Sequence, residues 1–162
     1  MICDRILGHI DDAEFASTRF EFDALELTWQ ECRRRFLRKK SCGGREVGLL
    51  LPVASHLCQG DVVFVDANLV IYVAVPPTRV LVIRVHTLEE SAAVAYEMGS
   101  LHCPVEITPE AIIIPADDAM EALLTRRGFP FMNSIRPFQP MEQLPELGVR
   151  LSAEFQLTSQ LS

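Results

Sequence analysis

Along the first 75 residues, apolar and polar positions change in short runs broken by turn residues. In the stretch "TRFEFDALELTW", Phe20 and Phe22 share one face, and Leu25, Leu27 and Trp29 then share another, which is the period-2 signature of a strand. Cys42-Gly43-Gly44 supplies positions of positive φ, which glycine adopts without strain. The segment "REVGLLLP" follows, then a turn at Gly60-Asp61, the strand-like "VVFV", a turn over Asp66-Ala67-Asn68, and "LVIYVAV". Nothing in this half holds a helical period over a useful length. The pattern predicts a small all-β domain over residues 1–75, built from two short sheets or a partial barrel.

Pro76-Pro77 punctuates the chain, and the period changes. "TRVLVIRVH" (78–86) is a β-branched run suited to a central strand. Thr87 and Glu90 have capping-box spacing, with the Thr oxygen accepting from the N3 amide and Glu90 reaching back to the N-cap amide. Leu88, Ala92, Ala95 and Tyr96 then recur at helical spacing, and Gly99 is expected to end the helix in the left-handed conformation. "PVEIT" and "EAIIIP" flank Pro109-Glu110 and read as a hairpin. Asp117 or Asp118 caps a second helix that buries Met120, Leu123 and Leu124. Arg126 and Arg127 lie in its last turn, where the helix dipole favours cations, and Gly128 ends it. "FPFMNSIRPF" supplies the last strand. The order β-α-β-β-α-β over residues 78–150 is the split βαβ, or ferredoxin-like, arrangement. The whole chain therefore reads as an α+β protein of two domains followed by a tail at 151–162.

Composition narrows the function classes. The chain has 162 residues, 49% hydrophobic and 23% charged, as a globular protein does and a disordered one does not. A formal net charge of −7 argues against nucleic-acid binding, which needs a basic surface. RNA-recognition domains share the β-α-β-β-α-β order, but they stack bases on central-strand aromatics, and "AIIIP" has none. No apolar run reaches the ~18 residues of a membrane span. Asp4 and Arg5 stand where a secretory signal would be apolar, so a soluble, cytoplasmic protein is expected. Five scattered cysteines without a C-x-x-C pair form neither a disulfide framework nor a zinc ribbon. A metal-dependent hydrolase would need about three protein ligands and a general base. The chain carries no H-E-x-x-H and no G-x-S-x-G, so an enzyme is not expected.

The chemistry that remains centres on "GSLHCP" (99–104), where His102, one of four histidines, stands beside Cys103. One imidazole cannot hold an ion. His102 is either a polar loop residue after a helix or part of a site completed from elsewhere. In an extended segment the side chain of Cys103 points away from that of His102, so joint chelation by one chain is awkward, and a packed thiol is the plainer reading. His9 lies beside Asp11 and Asp12 and reads as a solvated histidine or an adventitious ion site, while His56 and His86 have no companion at ligand spacing. "RRRFLRKK" (33–40) places six cations in eight positions. It is either a solvated face or a docking patch for an acidic partner, and a peptide bound along a sheet edge is a related reading.

Several words of the sequence, in order, resemble the urease accessory protein UreE, a nickel metallochaperone family. They are "LTWQECRRRFLRK", "GREVGLLLP" and "GDVV" in the first half, and "AVAYEMGSLHCPVEI" and "PFQPM" in the second. The resemblance implies that His102 is the metal ligand, and that a homodimer forms through the second domain with this histidine of each chain at the shared face. It implies Ni(II) as cargo, with Zn(II) or Cu(II) accepted in vitro. It also implies docking of partners on the first domain, the partners being the urease accessory GTPase (UreG) and the urease apoprotein complex. No histidine follows His102, so the tail "VRLSAEFQLTSQLS" lacks the histidines many relatives carry there. Where some relatives have His-x-His, this chain offers only Asp117 and Asp118, and Glu97 stands where many have histidine. The rival readings are a non-catalytic interaction module, or a zinc- or copper-binding protein without nickel delivery.

Overall fold

Alternation in the first half resolves into two sheets that share one core. The computed structural model describes residues 1–16, 19–53 and 55–141. In chain order the first half contains β1 (Ile2–Cys3), β2 (Gly8–His9), a single 3-10 turn (Ala13–Phe15), β3 (Glu21–Glu26) and α1 (Trp29–Cys32). Next come β4 (Phe36–Lys40), β5 (Glu46–Leu50), β6 (Asp61–Val65) and β7 (Leu69–Ala74). One sheet has the order β1-β5-β4 and the other β2-β6-β7-β3. The pairs β1–β5 and β3–β7 are parallel; the remaining neighbours are antiparallel. Leu25, Leu27, Val47, Leu49, Leu51, Ile71 and Val73 fill the space between the sheets. Phe20 and Phe22 lie on the other face of β3, where Phe20 joins Phe15, Val62 and Val70 in a smaller cluster and Phe22 is exposed.

The all-β expectation for residues 1–75 needs one correction. Trp29 does not continue the strand pattern of Leu25 and Leu27; it opens α1. Thr28 Oγ1 accepts from the Glu31 amide while Glu31 Oε2 accepts from the Thr28 amide, a complete capping box that stops the strand and turns the chain. Four residues are too few to show a helical period, and only the cap marks the turn.

The second half contains β8 (Thr78–Arg84), α2 (Leu88–Ser100), β9 (Glu106–Thr108), β10 (Ala111–Pro115), α3 (Asp118–Arg127) and β11 (Met132–Arg136). Its strands pair in the order β11-β8-β10-β9, every pair antiparallel. Alternation sends Leu81, Ile83, Ile112 and Ile114 toward the helices, where they meet Val94 and Met98 of α2 and Leu124 of α3. Val80, Ala111 and Ile113 face the opposite way, toward Phe138. There the Trp29 ring meets Phe138 edge-on at 5.3 Å and 89°, so α1 carries the aromatic that joins the first half to the second. The capping of α3 is as the sequence predicts: Asp117 Oδ1 accepts from the Met120 amide, and Gly128 ends the helix at φ 75°. At α2 the box differs from expectation. Thr87 Oγ1 accepts from the Glu90 amide, but Glu90 Oε2 takes the amide of His86, one residue before the cap. The tail read at 151–162 lies outside the described residues.

One buried polar network holds the β4–β5 hairpin to β3. Asp23, whose side chain is 3% exposed, accepts from the Ser41 hydroxyl, the Gly43 amide and the Arg45 guanidinium. Gly43 is required by proximity, because a Cβ there would lie 2.7 Å from Asp23 Oδ2. Burial pushes the Asp23 carboxyl up, but those three donors together outweigh it and hold its pKa below the usual carboxylate value. A depressed pKa means the network stabilises the fold above the unfolded-state value of about 3.9, and that this contribution is lost as pH falls further through the folded-state value. Asp23→Ala leaves three donors without their acceptor and is expected to cost about 2–4 kcal/mol at pH 7. Urea unfolding of wild type and variant at pH 7 and pH 3 tests this: the difference between them should shrink at the lower pH.

Candidate metal centre

Helix α2 presents two apolar stripes, and they point in opposite directions. Val94 and Met98 are buried against the sheet, with Ala95 half-buried beside them. The stripe legible in the sequence runs the other way: Leu88 is 83% exposed, Tyr96 79%, and Ala92 is exposed with them. Gly99 continues this outward face, and a Cβ added there would meet nothing within 4 Å. A helix apolar on two faces has a second surface to cover. His102 stands at its C-terminal end, exposed to solvent.

The helix does not stop where the sequence suggests. Gly99 remains helical, and α2 continues to Ser100. His102 is the left-handed residue, at φ 53°, and it is the one non-glycine residue with positive φ among those described. The amide of Cys103 donates to the Met98 carbonyl at 3.0 Å, and the amide of His102 donates to the Gly99 carbonyl at 3.0 Å. These are the two bonds of a Schellman cap, with histidine in the position glycine usually holds. Histidine is among the few residues that enter this region with some frequency, although any side chain there carries strain. The accompanying apolar contact is present, because Cys103 packs in the same cluster as Met98. The cap thus turns residue 102 outward and residue 103 inward.

The other candidate donors are engaged elsewhere. Glu97 pairs with Arg127 at 2.9 Å and is 18% exposed, tying α2 to α3 rather than facing His102. The Cys103 thiol donates to the Pro104 carbonyl, and burial, with a smaller push from Asp117, raises its pKa to about 11, so it is a protonated packed thiol. His9 uses both ring nitrogens in the first half: Nε2 donates to the Gln59 carbonyl at 3.1 Å, and Nδ1 accepts from the Asp11 amide at 3.3 Å. Its ring covers Gly60, where φ is 87° and a Cβ would overlap the imidazole. His56 lines a small crevice between the halves with Trp29 and Phe138, and His86 lies at the far end of α2. Among the described residues, no three His, Cys, Asp or Glu side chains gather to hold an ion. At the C-terminal end of α2 one chain presents one outward imidazole, that of His102.

The family resemblance singled out His102, while the helical spacing of Leu88, Ala92 and Tyr96 did not tell that this side of α2 is exposed. The available signal was Val94 and Met98, a second set of apolar positions on the same helix.

Comparison with known proteins shows which family the chain belongs to. Residues 3–76 match the family described as UreE urease accessory protein, N-terminal domain, and residues 78–149 match its C-terminal domain. The chain is 36% identical over 131 residues to the urease accessory protein UreE of Actinobacillus pleuropneumoniae, covering 79% of this chain and 70% of that one. It is 30% identical over 142 residues to the UreE of Acetivibrio thermocellus, covering 87% and 92%. The UreE of Bacillus cereus is 26% identical over 137 residues, covering 84% and 91%. With both family domains matched in order along almost all of its described length, the chain belongs to the urease accessory protein UreE family.

Proposed function

We propose that this accessory, chaperone-type protein is a nickel carrier for urease maturation, binding Ni(II) through His102 of both chains of a homodimer and delivering it for assembly of the urease active site. The observation that carries this reading is the placement of an exposed His102 at the end of the outward apolar stripe Leu88, Ala92, Tyr96. A twofold interface presents the same patch to itself, so covering that stripe with a second copy doubles any ligand near the axis. Gly99, on the same face with open space above it, lets a second backbone approach closely.

Imidazole suits Ni(II), and it suits Zn(II) and Cu(II) as well. Two imidazoles leave coordination positions free for water or for an acceptor's ligands. A closed four-ligand site would retain the ion, whereas an open one can pass it on. The second half, read as residues 78–150, is in this proposal the metal-binding and dimerisation domain. Its strand order β11-β8-β10-β9, with both helices on one face, supports the ferredoxin-like reading. The first half, residues 1–75, serves docking to the urease accessory GTPase and the urease apoprotein complex in the cytoplasm. No described helix is long and apolar enough to cross a membrane.

Isothermal titration with NiCl2, alongside sedimentation, tests the site. About one Ni(II) per dimer is expected at the principal site. His102→Ala should lower affinity by at least about tenfold, since even the outer-shell partners of a metal ligand are worth that much. Affinity should also fall on acidification, because proton and metal compete for the same nitrogen. Equal affinity in wild type and variant would refute the assignment. Tyr96→Glu should shift the protein toward monomer and weaken nickel binding with it.

The strained backbone of His102 yields a separate expectation. His102→Gly removes a side chain from a left-handed position and should raise the melting temperature of the metal-free protein by about 2–4 °C, corresponding to about 1 kcal/mol, while abolishing nickel binding. Scanning calorimetry of the metal-free forms reads the first effect.

A further inference from the structure

The outward face of the β1-β5-β4 sheet carries a surface that the sheet's own packing does not explain. Cross-strand register places Ile2, Gly48 and Arg38 in one row, Phe36 beside Leu50 in the next, and Lys40 beside Glu46 beyond. The Ser41 amide donates to the Arg45 carbonyl and the Leu51 amide to the Arg35 carbonyl, so odd-numbered residues of β4 form the hydrogen-bonded pairs. Phe36/Leu50 and Arg38/Gly48 are therefore the closer, non-hydrogen-bonded pairs, with neighbouring side chains on one face. Ile2 is 77% exposed, Phe36 62% and Leu50 50%. Three large apolar side chains thus stand around a position that has none.

Gly48 lacks an internal reason to be glycine. It does not have positive φ, and a Cβ there would meet only the Met1 carbonyl at 3.6 Å and Ile2 Cγ1 at 4.0 Å, ordinary contacts. Glycine inside a strand weakens it and otherwise marks a place where something approaches closely. The result is a notch over Gly48, walled by Ile2, Leu50 and Phe36, with Arg38 at its rim. In a chain of net charge −7, this corner is cationic. Arg38 shares Glu46 in an exposed pair, and Lys40 and Arg34 have no ion pair among the described residues. Cations on an edge strand also discourage aggregation, but that role leaves the glycine and the three apolar walls unexplained.

We infer that this face binds an extended segment of a partner protein, seating one apolar side chain over Gly48 with carboxylates beside it facing Arg38 and Lys40. Charge complementarity selects an acidic segment, and the notch selects a single apolar anchor. The inference rests on the docking role proposed for the first half, and names its surface and the chemistry it recognises.

The test is amide chemical-shift mapping on the full-length protein, using a capped heptapeptide with a central leucine flanked by glutamates, and a control with lysines in their place. Shifts are expected at Ile2, Phe36, Arg38, Gly48 and Leu50 with the acidic peptide. Affinity for the lysine peptide should be weaker by about fivefold or more. Gly48→Val should fill the notch, melt at or above the wild-type temperature, and lose the peptide. Arg38→Gln with Lys40→Gln should weaken binding while retaining the fold. A Gly48→Val protein that binds as wild type overturns the inference, as does one that fails to fold, since the glycine would then be a packing requirement. Shifts confined to another surface of the first half would leave the docking role standing and sink this face; no shifts anywhere would sink both. Nickel titration of Gly48→Val should match wild type, which separates this face from His102.

Discussion

The placement of His102 depends on how one helix ends. At the close of α2 the buried Met98 carbonyl receives the amide of Cys103, five residues on, and the reversal can be completed only if the residue between passes through the left-handed region. That residue is a histidine. The same two hydrogen bonds that satisfy the last carbonyls also fix where the imidazole emerges. Its position is tied to a core methionine rather than to a mobile loop, and placement of the imidazole and helix termination are one event.

A second constraint lies along the same helix. Val94 and Met98 secure α2 to the sheet, and Leu88, Ala92 and Tyr96 remain for something outside the fold. With Glu97 held by Arg127 and Cys103 packed inward, neither side chain stands with the His102 imidazole. On the reading proposed above, one chain supplies half of a site. A carrier would gain from this, because an ion held between two subunits would have open sides, and an ion enclosed by one would not.

Much of the second half was legible in the sequence because its signals are local. The Asp117 cap, the Gly128 stop and the β-branched runs of β8 and β10 each sit within a few residues of what they specify. The errors arose where a distant partner decides the outcome. Gly99 had the composition of a helix terminator, but the packing of Met98 and Cys103 moved the end three residues along. The stripe at Leu88, Ala92 and Tyr96 has the correct period and the opposite orientation, because period alone does not say which side meets the sheet. In the first half, α1 was too short to register, and its Trp29 is explained only by Phe138, more than a hundred residues away. His102 itself was identified by resemblance to a family; its geometry became readable only in three dimensions.

The inward-turned thiol beside His102 has a consequence for the carrier role proposed above. Burial raises its pKa to about 11, so in the metal-free fold the thiol is protonated at neutral pH. Soft sulfur anions grip late transition ions hard and release them slowly, so an ionised cysteine next to the histidine would act as a sink. Folding Cys103 under the helix end packs it with Met98, away from the exposed imidazole. On the proposed reading, an ion at His102 would meet nitrogen and water, ligands that exchange readily, with the thiol packed beside Met98 instead.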